Sequence, residues 1–300
     1  MERLLLITPC RDEAESIERM IASVAAQTRP PDLWLIIDDG STDATPRILH
    51  RWAARLPYLE VQRLPPAGSR GRDGLAVAAE AIAFNGALGS VPLHAFSHVG
   101  KLDADIELTP DYFQRLLDRF DVEVDLGIAG GSLLEEHGRG WLPTGGPEHH
   151  VRGALKLYRR DCLEAIGGGI EERLGWDTID EVEARMRGFH TRSLPAPTAR
   201  HLRPVASRGG ILRGRARLGR AAFILRYSFW WVALKSASVG KSHPYVLGGL
   251  AYFWGYLRAA VVDRRSRVQG PAFARYVAAE LRARARRHGR AKVSSDPHRS

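Results

Sequence analysis

Cysteine is scarce in this chain, and its scarcity excludes two kinds of small scaffold. Only Cys10 and Cys162 occur in 300 residues. That number is too low for a disulfide framework or a clustered zinc site, and it is typical of a reducing compartment. The N-terminal region has no basic segment followed by a long apolar run, because the apolar residues 4–7 are too few for a signal peptide. We therefore expect a cytoplasmic protein.

Acidic residues are almost missing from the last third of the chain. Residues 201–300 contain 21 Lys and Arg but 3 Asp and Glu, a net charge of +18, whereas residues 1–200 carry a net charge of −8. This asymmetry indicates two parts with different roles. The acidic part could hold a metal ion, and the basic part could meet a membrane surface, a phosphorylated partner or nucleic acid.

The chain also lacks an uninterrupted apolar run of about twenty residues, the length of a membrane-spanning helix. Residues 221–239 and 245–262 approach that length, but Arg226 and Lys235 interrupt the first and Arg258 the second. The two stretches could form helices that lie in a membrane interface, helices that pack on the soluble core, or helices that span a membrane. Charges within the segments and the arginines beside them favour helices lying in the interface.

Strand-like and helix-like patterns alternate through the first two hundred residues. Residues 4–7 and 33–37 are continuously apolar, as in strands buried on both faces, and Ile17, Ile21 and Val24 recur between them at helical spacing. This alternation predicts an α/β fold, a mostly parallel sheet with helices on both faces. The predicted organisation is a catalytic domain over 1–205, a basic, apolar-rich helical extension over 206–292 and a disordered tail over 293–300.

Acidic side chains follow two of the predicted strands. Asp38 and Asp39 come directly after residues 33–37, and Asp103 and Asp105 follow another apolar, strand-like run. Ligands of parallel sheets bind beyond the carboxyl ends of the strands, so we expect these side chains to converge on one edge. Residues i and i+2 of extended backbone point the same way, so Asp103 and Asp105 could face one Mg²⁺ or Mn²⁺ ion.

Several segments in a fixed order carry a resemblance to a known family. They are residues 9–13 (PCRDE), 27–30 (QTRP), 36–43 (IIDDGSTD), 83–88 (AFNGAL), 102–105 (LDAD), 157–160 (LYRR) with 166–168 (IGG), and 177–181 (DTIDE). Over about residues 3–205 the chain resembles the family 2 glycosyltransferases of the Rossmann-like GT-A fold. The resemblance implies an inverting, metal-dependent transfer of a hexosyl group from a nucleotide-diphospho-sugar to a hydroxyl acceptor. That acceptor would be lipid-linked or saccharide, as in cell-envelope, polysaccharide or glycolipid synthesis.

The resemblance also implies roles for individual residues. Asp39 would accept a hydrogen bond from the base or ribose, which suits an acceptor-only carboxylate. Arg72, in the basic, glycine-rich loop at 68–74, has forked donors that suit a base or a pyrophosphate. The nucleotide-sugar ligands expected on these grounds are Pro9, Arg11, Glu13, Asp39, Arg72 and Asp103. The expected metal ligands, for Mg²⁺ or Mn²⁺, are Asp105, Asp103 and the late histidine His201.

The segment at 177–181 is expected to supply the general base. An inverting transfer needs a carboxylate that takes the proton of the acceptor hydroxyl while that oxygen attacks the anomeric carbon. The resemblance places an acidic pair here without fixing its register. We take Asp180 as the first candidate for the general base and Asp177 and Glu181 as the next candidates. One departure from the family pattern is Asp12, where the family commonly has Asn.

Three other functions remain to be distinguished from this one. Sugar-phosphate nucleotidyltransferases normally have a glycine-rich, Arg- and Lys-bearing loop after the first strand, where this chain has residues 9–13. A nucleic-acid-binding protein would use the basic part, although no recognition-helix or stacking motif is present and we expect no nucleic-acid partner. A catalytically inactive sugar-binding relative is the third.

The chain lacks a Gln-x-x-Arg-Trp motif, which favours transfer of single sugar residues over polysaccharide synthesis.

Overall fold

The computed structural model describes residues 2–64, 79–138, 140–203, 210–241 and 243–294. The chain divides into two compact units, Met1–Val205 and Ala206–Ser300. The first unit contains a large sheet with helices, and the second is helical.

The described part of the first unit forms one nine-stranded sheet. Its strands are β1 (Leu4–Cys10), β2 (Leu33–Asp38), β3 (Leu59–Arg63), β4 (His98–Leu102), β5 (Ile106–Leu108), β6 (Leu126–His137), β7 (Gly140–Pro143), β8 (Leu155–Arg159) and β9 (His190–His201). The strand order is β3-β2-β1-β4-β8-β6-β9-β5, and β7 pairs with β6. The strands β3, β2, β1 and β4 are parallel neighbours, so their carboxyl ends meet at one edge.

The expected α/β architecture is present, with more antiparallel pairing than the sequence indicated. β8 pairs antiparallel with both β4 and β6, and β5 pairs antiparallel with β9. The antiparallel half brings the end of β9 beside the start of β5, and Ile106 lies opposite His201 in the register. This pairing places a late segment of the chain beside the Asp103–Asp105 turn.

Helices cover both faces of the sheet. They are α1 (Ile17–Ala25), α2 (Thr45–Ala53), α3 (Ala79–Leu88), α4 (Tyr112–Val122), α5 (Arg160–Ala165) and α6 (Trp176–Met186). Along β1, Leu4 and Leu6 pack with α1, α2 and α4, whereas Leu5 and Ile7 pack with α3, α5 and α6. Alternate residues of a strand point to opposite faces, so a continuously apolar strand supplies both cores.

Two strands extend beyond what the local sequence pattern predicts. Residues 135–150 are rich in Gly, Pro and His, which is typical of a loop, but β6 continues to His137 and forms an antiparallel pair with β7. Residues 191–194 are strand-like, and the strand there extends to His201, because its second half pairs with β5 and β6. The extension of β9 depends on β5 and β6, which are distant in sequence, and such pairing leaves little local signal. The hairpin of β6 with β7 is local, but β7 spans only Gly140–Pro143, and its Gly and Pro are more typical of a loop than of a strand.

The described part of the second unit contains α7 (Ile211–Ile224), α8 (Phe229–Val239), α9 (Val246–Val262) and α10 (Pro271–Ser294). The apolar stretch at 221–239 is therefore divided between α7 and α8, with Arg226 in a left-handed conformation between them. None of the helices in the described ranges combines the length and apolarity needed to cross a membrane. Residues 293 and 294 belong to α10, and the rest of the expected tail, 295–300, lies outside the described residues.

Candidate functional site

The carboxyl ends of β1 and β2 bring Arg11 and Asp39 together. The amide of Asp39 donates to the carbonyl of Cys10 at 2.9 Å, which ties the two strand ends to each other. The Arg11 guanidinium lies 4.0 Å from the Asp39 carboxylate, and Asp39 is buried. Pro9, which was expected nearby, lies in β1 opposite Ile37. A buried carboxylate at a parallel-strand end can accept donors from a ligand bound at this edge.

Asp12 and Asp38 shape the loops around this edge. Asp12 has a φ of +52°, a conformation that Asp and Asn tolerate better than most residues. Its Oδ1 accepts the Thr42 amide at 2.7 Å, a bond that an Asn side-chain oxygen could also accept. Asp38 Oδ1 accepts the Ser41 amide at 2.8 Å, so this aspartate stabilises the turn after β2.

Asp105, His201 and Arg203 form a compact charged cluster where β9 meets β5. The Nε2 of His201 and the Nε of Arg203 each lie 3.3 Å from Asp105 Oδ2. Arg203 also donates to Glu13, whose Oε2 accepts the Ser16 hydroxyl at 2.9 Å. The Leu202 amide donates to the Asp105 carbonyl at 2.8 Å and fixes the two segments side by side.

The contacts in this cluster shift two pKa values in opposite directions, and both shifts favour the charged form. Burial alone would raise the pKa of Asp105, but its hydrogen bond and charge interaction with His201, together with Arg203, lower it. Burial alone would lower the pKa of His201, but Asp105 and other carboxylates nearby raise it. The cluster therefore keeps Asp105 ionised and favours the protonated imidazole when nothing else binds it.

The described residues supply part of a binding site for a divalent cation. Asp105 and His201 supply an oxygen and a nitrogen ligand side by side, a donor set that Mn²⁺ accepts. The Nδ1 atom of His201 is buried and has no hydrogen-bond partner among the described residues. No group of three or more His, Cys, Asp or Glu side chains is gathered as a metal site in these ranges. One or two protein ligands completed by substrate phosphates are the usual arrangement for Mg²⁺.

Asp103 is held by a buried lysine. Its amide donates to the Ala154 carbonyl at 2.9 Å, and its Oδ1 accepts Lys101 Nζ at 2.5 Å. Lys101 also donates to the Gly153 carbonyl at 3.1 Å. Burial raises the pKa of Asp103 to about 6, with Lys101 opposing the shift and Glu80 and Asp105 adding to it. Asp103 and Asp105 therefore follow the same strand but have different partners.

Trp176, the first residue of α6, lies against two buried lysines. Lys101 Nζ is 4.9 Å and Lys156 Nζ 5.5 Å from the centre of its ring, both within cation–π range. The indole N–H donates to Glu80 at 2.9 Å. These contacts attach the N-terminal end of α6 to β4, β8 and α3, so α6 presents its first turn close to Asp103.

Asp180 and Glu181 are committed to interactions inside the protein. Asp180 accepts Lys156 Nζ at 2.8 Å and the Tyr158 hydroxyl at 2.5 Å. Glu181 accepts the Val151 amide at 2.7 Å. Both side chains are almost wholly removed from solvent. Burial raises the pKa of Asp180 to about 6, against the opposing effect of Lys156.

Asp177 occupies a different environment from its two neighbours. It is partly exposed at the start of α6, and its carboxylate has no hydrogen bond or ion pair with any other described side chain. Its Cβ lies close to Gly153, where an added Cβ would meet it at 3.1 Å. Burial opposes protonation of Lys101 and Lys156, but carboxylates that include Asp177 raise the pKa of each lysine. Asp177 therefore lies near the buried lysines and remains accessible from outside.

Two of these residues were not singled out from sequence, and one expected residue cannot be placed. Lys101 stands two residues before Asp103 on the same strand face, and Arg203 stands two residues after His201. The i, i+2 spacing along a strand was the available signal for both. Arg72 lies outside the described residues.

Comparison with known proteins identifies the family. The model of glycosyl transferase family 2 matches residues 5–167. Among solved structures, S. aureus TarS is 16% identical with a TM-score of 0.52 over 88% of this chain and 44% of that chain. The mannosyltransferase PcManGT from Pyrobaculum calidifontis, in complex with GDP-Man and Mn²⁺, is 20% identical with a TM-score of 0.53 over 94% of this chain and 80% of that one.

A third structure has a similar fold. GalNAc-T7 with UDP, GalNAc and Mn²⁺ is 12% identical with a TM-score of 0.55 over 86% of this chain and 54% of that one. This chain thus spans less than half of TarS and about half of GalNAc-T7. At these identities the structures show the fold, and the family model covers more than half of the chain. Both sequence-based assignments are confirmed: the protein belongs to glycosyl transferase family 2, a family of glycosyltransferases, and has the GT-A fold.

Proposed function

We propose that this protein transfers a single hexosyl group from a nucleotide-diphospho-sugar to a hydroxyl acceptor, with inversion and with help from Mn²⁺ or Mg²⁺. The observation that carries the proposal is the juxtaposition of Asp105 and His201 beside the edge where Asp39 and Asp103 follow parallel strands. The similar structures of PcManGT and GalNAc-T7, which contain Mn²⁺ with a nucleotide or nucleotide sugar, support it.

The donor would bind along the carboxyl ends of β1, β2 and β4. Asp39 follows β2 and Arg11 follows β1. At these strand ends the Asp39 carboxylate could accept hydrogen bonds from a nucleoside, and the Arg11 guanidinium could donate them. Arg203 carries a guanidinium beside Asp105, and such forked donors suit a diphosphate. Pro9, Glu13 and Arg72 remain proposed members of this site.

Asp105 and His201 would hold the cation, with Asp103 next to the donor ribose. When bound, a divalent cation neutralises charge on the leaving diphosphate, as a Lewis acid does. Arg203 places a second positive charge on the same side of Asp105. Two cationic groups at this point would favour departure of the nucleoside diphosphate.

Asp177 is the better candidate for the general base. It would take the proton of the acceptor hydroxyl while that oxygen forms a bond to the anomeric carbon and the bond to the diphosphate oxygen breaks. The carboxylate is accessible and lies in the first turn of α6 near Lys101. Asp180 and Glu181 are buried and fully engaged, so the preference stated from sequence changes from Asp180 to Asp177.

The acceptor and the cellular place of the reaction also belong to this proposal. A lipid-linked or saccharide hydroxyl in cell-envelope, polysaccharide or glycolipid synthesis is the acceptor class we propose. The second unit would make peripheral contact with the inner face of the cell membrane, in keeping with the +18 charge of residues 201–300.

The test is a donor screen by thermal unfolding. UDP-, GDP- and dTDP-sugars are added with Mn²⁺, with Mg²⁺ or with chelator, because a ligand that binds the folded chain raises its Tm by mass action. We expect one nucleotide class to raise the Tm when a divalent cation is present. The variants Asp105→Asn and His201→Gln should lose that cation-dependent increase.

The control variant is Asp118→Asn, an exposed aspartate on α4 whose side chain bonds to Gln114. It should keep the full increase in Tm with donor and cation. A cation-dependent increase that survives in both Asp105→Asn and His201→Gln would overturn the assigned metal ligands. The absence of any increase with every sugar nucleotide would overturn the proposed donor class.

A further inference from the structure

The helix α9 has two faces with opposite surroundings. Gly248, Tyr252, Gly255, Tyr256 and Ala259 form one face and are buried inside the second unit. The other face is formed by Val246, Leu250, Trp254, Leu257 and Val261, at spacings of three and four residues. All five of these large apolar side chains are exposed, Leu250 by 59% and Trp254 by 64%. The exposed face is a continuous apolar stripe about 22 Å long.

The buried face fixes which side of α9 can face outward. A Cβ at Gly255 would overlap the backbone carbonyl of Ala216 in α7, and a Cβ at Gly219 in α7 would overlap the carbonyl of Tyr252. The two backbones therefore touch along their glycines. Rotating α9 to bury the stripe would force large side chains into this contact. The stripe is consequently held on the outer side by the packing of the unit itself.

The stripe is bordered by other apolar and basic groups. Phe229, at the start of α8, packs against Phe253 with the ring centres 5.7 Å apart and is itself partly exposed. At the far end of α9, Arg258, Arg264 and Arg265 are exposed. Arginine can extend a charged head toward a polar layer while its stem covers apolar surface. An apolar face with basic groups beside it is typical of helices that lie in a membrane interface.

We propose that the stripe on α9 is a membrane-binding surface that inserts among lipids and selects anionic headgroups through Arg258, Arg264 and Arg265. The net charge of +18 in residues 201–300 favours a negative surface. The same charge disfavours a second copy of this chain as the occupant, because docking would bring two strongly positive units together. A contiguous exposed apolar face of this size is rarely left uncovered in a monomeric protein.

This inference deepens the peripheral membrane contact proposed above and does not depend on glycosyl transfer. The test is flotation of the full-length protein with vesicles, without donor or acceptor, so failure of one proposal leaves the other standing. Vesicles of phosphatidylcholine are compared with vesicles that also contain phosphatidylglycerol. The tested variant is Leu250→Ser with Trp254→Ser. The matched control is Val122→Ser with Val124→Ser, residues of the first unit that are exposed by 75% and 80%.

We expect the unaltered protein and the control to bind anionic vesicles and the Leu250/Trp254 variant to bind at least about tenfold more weakly. Replacing Arg258, Arg264 and Arg265 by Gln should weaken binding to anionic vesicles by at least about tenfold and change binding to phosphatidylcholine little. Equal melting temperatures of the variants and the parent would show that folding is unaffected. Trp254→Phe should remove part of the quenching of tryptophan fluorescence by brominated lipid.

Several results would overturn the proposal. The first is no binding of the unaltered protein to anionic vesicles. The second is undiminished binding of the Leu250/Trp254 variant. The third is a stable dimer, measured by light scattering, that the Leu250/Trp254 variant dissociates, which would assign the stripe to a second copy. The fourth is salt-sensitive binding to nucleic acid that requires the stripe residues.

Discussion

Asp177 and Asp180 lie one turn apart on α6, and their surroundings give them different tasks. Asp180 faces Lys156 and Tyr158 in the interior, whereas Asp177 is partly exposed near Lys101. A buried carboxylate paired with a buried ammonium is costly to disturb, because removing one partner leaves the other charge uncompensated. Because Asp180 is buried and Asp177 is partly exposed, Asp180 has a structural role and Asp177 is accessible to a substrate.

The variants Asp177→Asn and Asp180→Asn should therefore fail in different ways. Asp177→Asn should lower kcat by at least about 100-fold, with donor binding and the free energy of unfolding little changed. Asp180→Asn should lower the free energy of unfolding by about 3 kcal/mol, because Lys156 loses its partner in the interior. Turnover assays and urea unfolding measure the two effects. A fully active Asp177→Asn enzyme would remove Asp177 from the mechanism.

The ion pair of His201 with Asp105 should make stability depend on pH. Burial lowers the pKa of His201, but Asp105 and nearby carboxylates raise it overall above its usual value. The folded chain thus binds the proton more tightly than the unfolded chain does. The resulting stabilisation is complete below about pH 6.5 and is lost as the pH rises through the higher folded-state pKa.

We expect His201→Asn to lower the free energy of unfolding by about 1 kcal/mol at low pH in the absence of divalent cations. The difference from the parent protein should shrink as the pH is raised above about 6.5. Urea unfolding across that range measures it. His190→Asn, at an exposed pair with Asp125, is the control and should change stability little at any pH. A difference that grows with pH would contradict the assignment.

At the scale of elements, glycines decide how α7 and α9 pack. Gly214 and Gly219 lie on the same helix, α7, but a Cβ at Gly214 would meet nothing within 4 Å, whereas one at Gly219 would overlap the backbone of α9. Glycine in a helix interior is destabilising relative to alanine unless close packing requires it. The same residue type thus costs stability at one position and permits a helix contact at the other.

Gly214→Ala should raise the free energy of unfolding by about 0.5–1 kcal/mol. Gly219→Ala should lower the free energy of unfolding by at least about 1 kcal/mol, because the added methyl group overlaps the backbone of α9. Thermal or urea unfolding followed by circular dichroism measures both changes. Each variant controls for the other, because both add one methyl group to α7. Equal effects of the two substitutions would contradict the close contact of α7 with α9.

At the scale of the whole molecule, we expect the fold of the first unit to form without a cation. Its two cores lie on opposite faces of the sheet and consist of apolar side chains from the strands and helices. The Asp105–His201 cluster lies at the end of the strands, and Arg203 balances part of its charge. Any cation bound there would add to stability by binding and would not supply the core.

Chelation should therefore leave the Tm of the protein without donor unchanged within about 1 °C, given that about 1 kcal/mol shifts Tm by a few degrees in a chain of this length. The same chelator should abolish the cation-dependent part of any donor-induced increase. Calorimetry with and without EDTA measures both. A large fall in Tm on chelation alone would point to a structural metal instead.

Much of the fold could be predicted because its signals are local. The continuous apolar run in β1 and the helical spacing in α1 follow directly from burial, and the ordered motifs identified the family. The hairpin of β6 with β7 was hidden because β7 is only four residues long and contains Gly and Pro. The extent of β9 could not be predicted, because it is defined by pairing with β5 and β6, which lie far away along the chain. The same long-range pairing brings His201 to Asp105.

The alternation of elements, the charge asymmetry and the acidic residues that follow the strands can be read from the chain alone. Which of those acids are buried and which are accessible depends on how the elements pack together. Asp177 and Asp180 are chemically identical, and burial beside Lys156 is what distinguishes Asp180. Likewise, the apolar composition of α9 left its orientation open until contact with α7 fixed one face inward. Burial is set by the packing of all elements together, so no local pattern specifies it.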